Sequence, residues 1–380
     1  MKKVAILGST GSIGRQTLDV IRNNPEEFRV IAICARRDAE GLAAQAAEFK
    51  PEHIAIAEDA AADKLRRFGT KANVVSGPEA SCRIAALEEA DIIVNGISGY
   101  SGMKPLLSAL EAGKHVALAN KESIVCAHGL INDALKKHGG SIVPVDSEQS
   151  AIFQCLASGS RGEVERLIFT ASGGPFHTYT KEQLELVTPE QAGNHPVWNM
   201  GKKITIDSAT MFNKGLEIME ASYLFDVPGD RISVLVHPET IVHSMVEFVD
   251  GCTMAQLSKP DMRLAIQYAL TYPQRTYGKF GRLRLEETGK LTFFAPDREK
   301  FPALDLAYEA LRDGRRLPIA YNGANEVAVE LFLQGKIKFT DIWKVVEYAM
   351  AHMDRGEVNS LDDIEQTDKL ARELAFRKGK

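Results

Sequence analysis

Short apolar runs alternate with helix-period segments through the first 150 residues. "KVAIL", "FRVIAICA", "HIAIAED", "ADIIVN", "KHVALAN" and "SIVPV" have the length and content of strands buried on both faces, and Ala/Leu-rich segments of ordinary helical length separate them. Such alternation predicts a doubly wound, mostly parallel sheet. Beyond residue 150 the pattern changes. "RLIFTA", "RISVLVHP", "IVHSMVEFVDG" and "CTMAQLS" predict strands mixed with helices, with Asp250-Gly251 as a hairpin turn. From residue 301, "ALDLAYEALRDG", "GANEVAVELFLQG" and "TDIWKVVEYAMAHM" all carry helical spacing and predict a small bundle. The expected class is α/β, with a sheet domain over 1–145, a central α+β domain over 146–277, a linker over 278–300 and a helical bundle over 301–380.

The first strand ends in a glycine turn. Gly8, Gly11 and Gly14 stand between "VAIL" and a segment with Ile13, Leu18 and Ile21 at helical spacing. Strand, glycine turn and helix are the setting in which backbone approaches a pyrophosphate and a helix N-terminus offers it free N–H groups. The spacing is one residue wider than the standard dinucleotide fingerprint, and tight-turn glycines are the plain alternative; the flanking elements favour a Rossmann-like cofactor site. The second strand ends at Arg36-Arg37, where an NAD-binding chain carries an acid for the ribose hydroxyls. Two guanidiniums suit a 2′-phosphate, which points to NADPH. Asp38, one position on, is the rival acid, and a solvated charge cluster is the bland alternative.

The strand ends of such a sheet share one edge, so Asn120-Lys121-Glu122 and Asp146-Ser147-Glu148 fall beside the glycine turn. If the chain stays extended, Asp146 and Glu148 point the same way and their charges repel. A shared proton, a basic partner or a divalent cation would offset that, and a solvated pair at a helix start is the alternative. Residues 206–221, wound as one helix, place Met211, Phe212, Leu216, Ile218 and Met219 on one arc and Thr210, Asn213, Lys214, Glu217 and Glu220 on the other. This is either a surface helix or a face able to hold a phosphate and a metal together, with Ser208 near its start. Between Ser172-Gly173-Gly174 and residue 201 runs a loop-like stretch with His195, Pro196, Trp198 and Met200, the composition of a lid that excludes water.

Net charge of −5 over 380 residues, with no basic run interleaved with aromatics, gives no footprint for nucleic acid or an anionic membrane. Small molecules are the expected ligands. The five cysteines lack metal or redox spacing and most sit in apolar runs, so they read as small core residues of a reducing compartment. No apolar run reaches the roughly 18 residues of a membrane span, nor does the N-terminus resemble a signal peptide. A cytoplasmic protein is expected.

In order along the chain, "GSTGSIG", "LANKES", "PVDSEQSAIFQ", "ASGGPF", "HPVWNMG", "DSATMFNKGLE" and "LVHPETIVHSMV" make this sequence resemble the 1-deoxy-D-xylulose 5-phosphate reductoisomerase family over nearly its whole length. The resemblance implies conversion of 1-deoxy-D-xylulose 5-phosphate into 2-C-methyl-D-erythritol 4-phosphate in the non-mevalonate isoprenoid pathway, with NADPH and Mg²⁺ or Mn²⁺. The rearrangement would run as retro-aldol cleavage and aldol recombination. It implies Asp146, Glu148 and Glu217 as metal ligands and Lys121, Glu148 and His195 as catalytic residues. Ser147 and Glu148 would meet the substrate hydroxyls, Ser172, Ser208, Asn213 and Lys214 the phosphate, and Trp198 would close over the substrate with His195, Glu217 also facing it. Thr10, Gly11, Ser12, Ile13, Ala35, Arg36, Arg37, Asn120, Glu122 and Gly201 match cofactor positions, although many members carry Gly and Lys near Ala35-Arg36. The central domain would then be the catalytic and dimerisation domain, with a lid around 173–201, and the outer face of its sheet would build a homodimer.

Two other functions fit parts of the chain. A plain NADP-dependent dehydrogenase uses residues 1–150 and leaves Glu217 and the 208–214 face idle. A non-catalytic NADPH sensor leaves the carboxylates solvated. Metal-dependent turnover separates both from the family reaction.

Overall fold

The apolar runs of the first 150 residues become strands in the computed structural model, which describes residues 1–194, 198 and 201–380. Strands β1 (Lys2–Leu7), β2 (Phe28–Ala35), β3 (His53–Ile56), β4 (Asn73–Ser76), β5 (Ile92–Asn95), β6 (His115–Leu118) and β7 (Ser141–Pro144) form one sheet in the order β4-β3-β2-β1-β5-β6-β7. Every pairing is parallel. Val4, Ala5, Ile6, Leu7, Ile33 and Ile93 are wholly buried, as helices on both faces of a parallel sheet require. Strand order reverses beside β1, whose neighbours are β2 and β5, and a crevice at such a switch point is the ligand site of open α/β sheets.

By contact the chain falls into two units. The first comprises Met1–Ser123, Gly129–Ser150 and Asp261–Gly281, and the second Ile124–His128, Ala151–Pro260 and Arg282–Lys380. The third segment of the first unit differs from the domain limits expected from sequence, which grouped 261–277 with the central domain. Asp261 N-caps the Met262–Thr271 helix, and Arg263 bridges from it to Asp19 on the Ser12–Asn23 helix at 2.6 Å. Lys2 Nζ donates to the Leu270 carbonyl at 3.1 Å. These are contacts over some 240 to 270 positions, beyond the reach of local pattern.

The second unit carries a mixed sheet in the order β11-β10-β8-β9, with β8 (Val164–Ala171) parallel to β9 (Ile232–Val236), and β10 (Val242–Phe248) antiparallel to both β8 and β11 (Thr253–Leu257). Helices Ala303–Asp313, Leu317–Leu333, Asp341–Ala351 and Leu361–Lys378 form the expected bundle, whose core is continuous with that of the sheet through Phe212, Tyr321, Phe332 and Phe339. Gly215 lets its helix meet two others: a Cβ there would lie 2.0 Å from Tyr321 Oη and 3.0 Å from the Ala307 methyl. Among the described residues no helix is long and apolar enough to cross a membrane.

Two local expectations change. Residues 206–221 are not one helix: Met211 adopts φ 66°, ending the Lys202–Thr210 helix and starting the Phe212–Phe225 helix. The polar arc is also not a surface, since Lys214, Glu217 and Glu220 are buried along with the apolar side. The loop-like stretch after 174 in turn holds two short helices, Lys181–Leu184 and Pro189–Ala192, each opened by a capping box from Thr180 or Thr188.

Candidate active site

In the first unit the cofactor edge is built from four strand ends. Beyond β1 the chain turns so tightly that a Cβ on Gly14 would sit 2.4 Å from the Gly8 carbonyl oxygen and from Ser9 Cα. Thr10, Gly11, Ser12 and Ile13 lie in that turn and at the start of the Ser12–Asn23 helix, Gly11 and Ser12 exposed. This arrangement presents backbone N–H groups to an anion.

Ala35 closes β2 and is buried, whereas Arg36 and Arg37 are exposed beyond it. Arg36 Nε lies 3.1 Å from Glu58 Oε1. Asp38 accepts from the Gly41 N–H at 2.9 Å as N-cap of the Ala39–Phe49 helix, so its carboxylate is committed to a helix start. That weighs against Asp38 as the ribose acid and leaves the two guanidiniums facing solvent at the strand end. Behind them, burial raises the Cys34 thiol to about 12, and Cys155 in the second unit rises to about 11, which makes both inert core residues.

Asn120 follows β6 and caps the Lys121–His138 helix by accepting from the Ser123 N–H at 2.9 Å. Its amide nitrogen donates to the carbonyls of Ile97 and Gly99, both at 2.8 Å, and to Glu122 at 3.0 Å. Lys121, on the same turn, reaches Asp146 Oδ1 at 3.3 Å, with the two side chains 6% and 15% exposed.

Asp146 lies past β7, and its carbonyl accepts from Ser150 N–H at 2.8 Å in the first turn of the Ser147–Cys155 helix. Glu148 is therefore helical, and the strand alternation expected to align it with Asp146 does not operate. The two carboxylates converge nonetheless, with oxygens within 4.8 Å of one another. Lys121 supplies one counter-charge, the helix N-terminus another, and Ser147 Oγ donates to Glu148 Oε2 at 2.5 Å.

The second unit builds a compact polar cluster. Glu217 is wholly buried, accepting from Lys214 Nζ at 2.5 Å and from the Asn213 amide. Lys214, also buried, stands 5.6 Å over the Phe169 ring. The solvation lost on burying such an ion pair offsets much of what the pair returns in stability, which points to another purpose.

Ser172 leads a Gly173-Gly174 turn that rests on the backbone of Ser208 and Ala209, and Ser172 Oγ accepts from the Gly174 N–H at 3.2 Å. Thus the turn that follows Ser172 rests beside Ser208 at the end of one helix, and Asn213 and Lys214 open the next. Trp198 is half-buried with its ring 6.5 Å from that of His243, and exposed Gly201 precedes the Lys202–Thr210 helix. His195, Pro196 and Met200 lie outside the described residues. Sequence reasoning passed over Lys203, Asp207 and Asn325, which join in a buried network beside Ser208. The available signal was an asparagine pair, Asn322 and Asn325, in a mostly apolar helix.

Comparison with known proteins identifies the family. Three family models match in succession: 1-deoxy-D-xylulose 5-phosphate reductoisomerase over residues 4–128, its C-terminal domain over 142–225, and the DXP reductoisomerase C-terminal domain over 257–374. The chain is 49% identical over 377 residues to the 1-deoxy-D-xylulose 5-phosphate reductoisomerase of Chlorobium limicola, covering 99% of both chains. It is 48% identical over 377 residues to that of Chlorobaculum tepidum, again covering 99% of each. Among solved structures it is similar to the Zymomonas mobilis enzyme in complex with NADPH, at TM-score 0.94 and 42% identity over 100% of this chain and 99% of the other. A DOX-P reductoisomerase in complex with NADPH, fosmidomycin and magnesium gives TM-score 0.94 and 41% identity, covering 100% and 98%. With agreement this extensive in both sequence and fold, the chain belongs to the 1-deoxy-D-xylulose 5-phosphate reductoisomerase family.

Proposed function

We propose that the chain catalyses its family's reaction with the residues described above: the rearrangement and NADPH-dependent reduction of 1-deoxy-D-xylulose 5-phosphate to 2-C-methyl-D-erythritol 4-phosphate. The observation that carries the assignment is the wholly buried Glu217 between Lys214 and Asn213. A carboxylate so placed adds little net stability, which leaves ligand binding as the reason for it.

Asp146, Glu148 and Glu217 offer oxygen donors alone, two half-buried and one buried, which is the donor set of a hard divalent cation. These three would hold Mg²⁺ or Mn²⁺. A bound ion supplies Lewis-acid polarisation of the ketone and its neighbouring hydroxyl, and bound NADPH supplies the hydride. Lys121, its ammonium held by Asp146, stabilises negative charge developing on the substrate oxygens. Ser147 and Glu148 orient the hydroxyls, and the short bond between them fixes both side chains. Ser172, Ser208, Asn213 and Lys214 bind the phosphate, helped by the N–H groups at the start of the Phe212–Phe225 helix. Trp198 shields the substrate from water, with His195 as its partner in that role. Arg36 and Arg37 select NADPH, while the 10–13 turn, Ala35, Asn120, Glu122 and Gly201 complete the cofactor contacts.

Absorbance of NADPH, followed with 1-deoxy-D-xylulose 5-phosphate and Mg²⁺ or Mn²⁺ and again after chelation, tests the assignment. Oxidation that needs both sugar phosphate and metal is expected. Oxidation that survives chelation would return the chain to plain dehydrogenase chemistry, and NADPH binding without turnover would favour the sensor.

The same reading makes the protein a cytoplasmic homodimer. Five cysteines, none of them in a disulfide, support a reducing compartment, which cell fractionation tests. One cross-strand row of the second sheet, Ala255, Met245, Ile168 and Ser233, presents a mostly apolar face suited to a second copy. Sedimentation showing a monomer at micromolar concentration would reject that role for the face.

A further inference from the structure

The Leu317–Leu333 helix of the bundle contains two wholly buried asparagines among apolar neighbours. Asn325 Nδ2 donates to Asp207 Oδ1 at 2.8 Å, and Lys203 Nζ lies 2.6 Å from Asp207 Oδ2. Asp207 itself is buried. The amide oxygens of Asn322 and Asn325 take no hydrogen bond among the described residues. Each such oxygen costs about 1–3 kcal/mol, as much as one hydrogen bond to a charged group returns. Stability alone does not account for Asn325.

Its placement does. Tyr321 and Asn325 are four positions apart and share one helical face. Tyr321 packs on the Phe212 ring, centroids 5.0 Å apart, above Gly215, and donates to the Ala303 carbonyl at 3.1 Å. Asn325 grips Asp207 on the preceding helix. One face of the bundle thus holds both helices flanking the left-handed residue Met211. Ser208 lies just before that break, and Asn213 and Lys214 just after it. The angle between the two helices sets the spacing of these groups.

We propose that Asn325, acting through Asp207 and together with Tyr321, is a positioning residue that sets Ser208 against Asn213 and Lys214 for phosphate binding. This rests on the phosphate role assigned above. Lys203 completes the network by holding the second oxygen of Asp207, which fixes the carboxylate in the orientation Asn325 meets.

Asn325→Leu keeps the branching and heavy-atom count of the side chain and removes the bond. Its expected effect is a rise of about tenfold in both the KM for 1-deoxy-D-xylulose 5-phosphate and the Kd for inorganic phosphate, the loss of one hydrogen bond to a charged group. Expected alongside are kcat within about twofold and unchanged NADPH affinity. The swap Asp207→Asn with Asn325→Asp reverses the bond's polarity while giving up the Lys203 pair, and is expected to restore part of the phosphate affinity. Unaltered phosphate Kd in Asn325→Leu would overturn the proposal, as would equal weakening of phosphate and NADPH, the signature of general loosening. If Asn325→Leu does not fold, Asp207→Asn carries the same comparison. Because phosphate binding is titrated directly, a wild type inert toward the sugar phosphate would sink the reaction assigned above, while the ratio of phosphate Kd values still decides the network.

Discussion

Glu217→Gln is expected to lower turnover by about 10³-fold or more, the scale of several kcal/mol of Lewis-acid stabilisation withdrawn from the transition state. The substitution is nearly isosteric, and its amide oxygen still accepts from Lys214 or Asn213. What disappears is a negative charge at a wholly buried position. An amide oxygen is a poor ligand for a hard cation beside two carboxylates, so metal affinity falls with turnover. The Lys214 ammonium also loses its bond to the Glu217 carboxylate, and breaking a buried pair costs on the order of 3–5 kcal/mol. NADPH binding, by contrast, depends mainly on the strand ends of the other unit and is expected to persist. Turnover assays with Mn²⁺ titration, NADPH fluorescence and circular dichroism separate these effects. Activity within tenfold of wild type in a folded variant would remove Glu217 from the cation's ligands.

The second large effect falls on cofactor choice. Neutral replacement of both Arg36 and Arg37 is expected to weaken NADPH by about 10–100-fold, from lost charge-assisted hydrogen bonds in an exposed and partly screened setting. NADH affinity is expected to stay within about twofold, since no acid is available to take over the ribose once Asp38 is engaged in capping. The NADPH loss should shrink as ionic strength rises. Equal loss for both cofactors would reject a 2′-phosphate role for the pair.

Much of this architecture could be read before any coordinates. The strands β1, β2, β3, β5, β6 and β7 are apolar because both their faces are covered, and burial on two faces leaves an uninterrupted hydrophobic run. Strand β4, "NVVS", is a half-exposed edge with two polar ends and escaped notice for that reason. Asp146, Glu148 and the arginine pair were visible because their positions follow from strand ends alone.

Other features were hidden because they depend on contacts distant in sequence. Nothing in "SATMFNKG" announces a break at Met211, where no glycine or proline stands. The polar arc of Asn213, Lys214 and Glu217 imitates a solvated surface, since composition alone does not tell a buried polar cluster from a wet one. Asp207 and Asn325 are separated by 118 positions and only become partners through packing of the bundle.

The return of Asp261–Gly281 to the first unit bears on synthesis at the ribosome. The seven-stranded sheet is encoded by residue 144, yet the helix that covers its Ser12–Asn23 helix is made only after residues 151–260 have emerged. At roughly 5–20 residues per second, the growing chain exposes that helix's docking face for an interval on the order of ten seconds. During it, the aliphatic surface awaiting Ile266 and Leu270 is open to other nascent chains. The N-terminal half is thus made first and finished late, and a fragment ending near residue 150 would keep that face uncovered permanently.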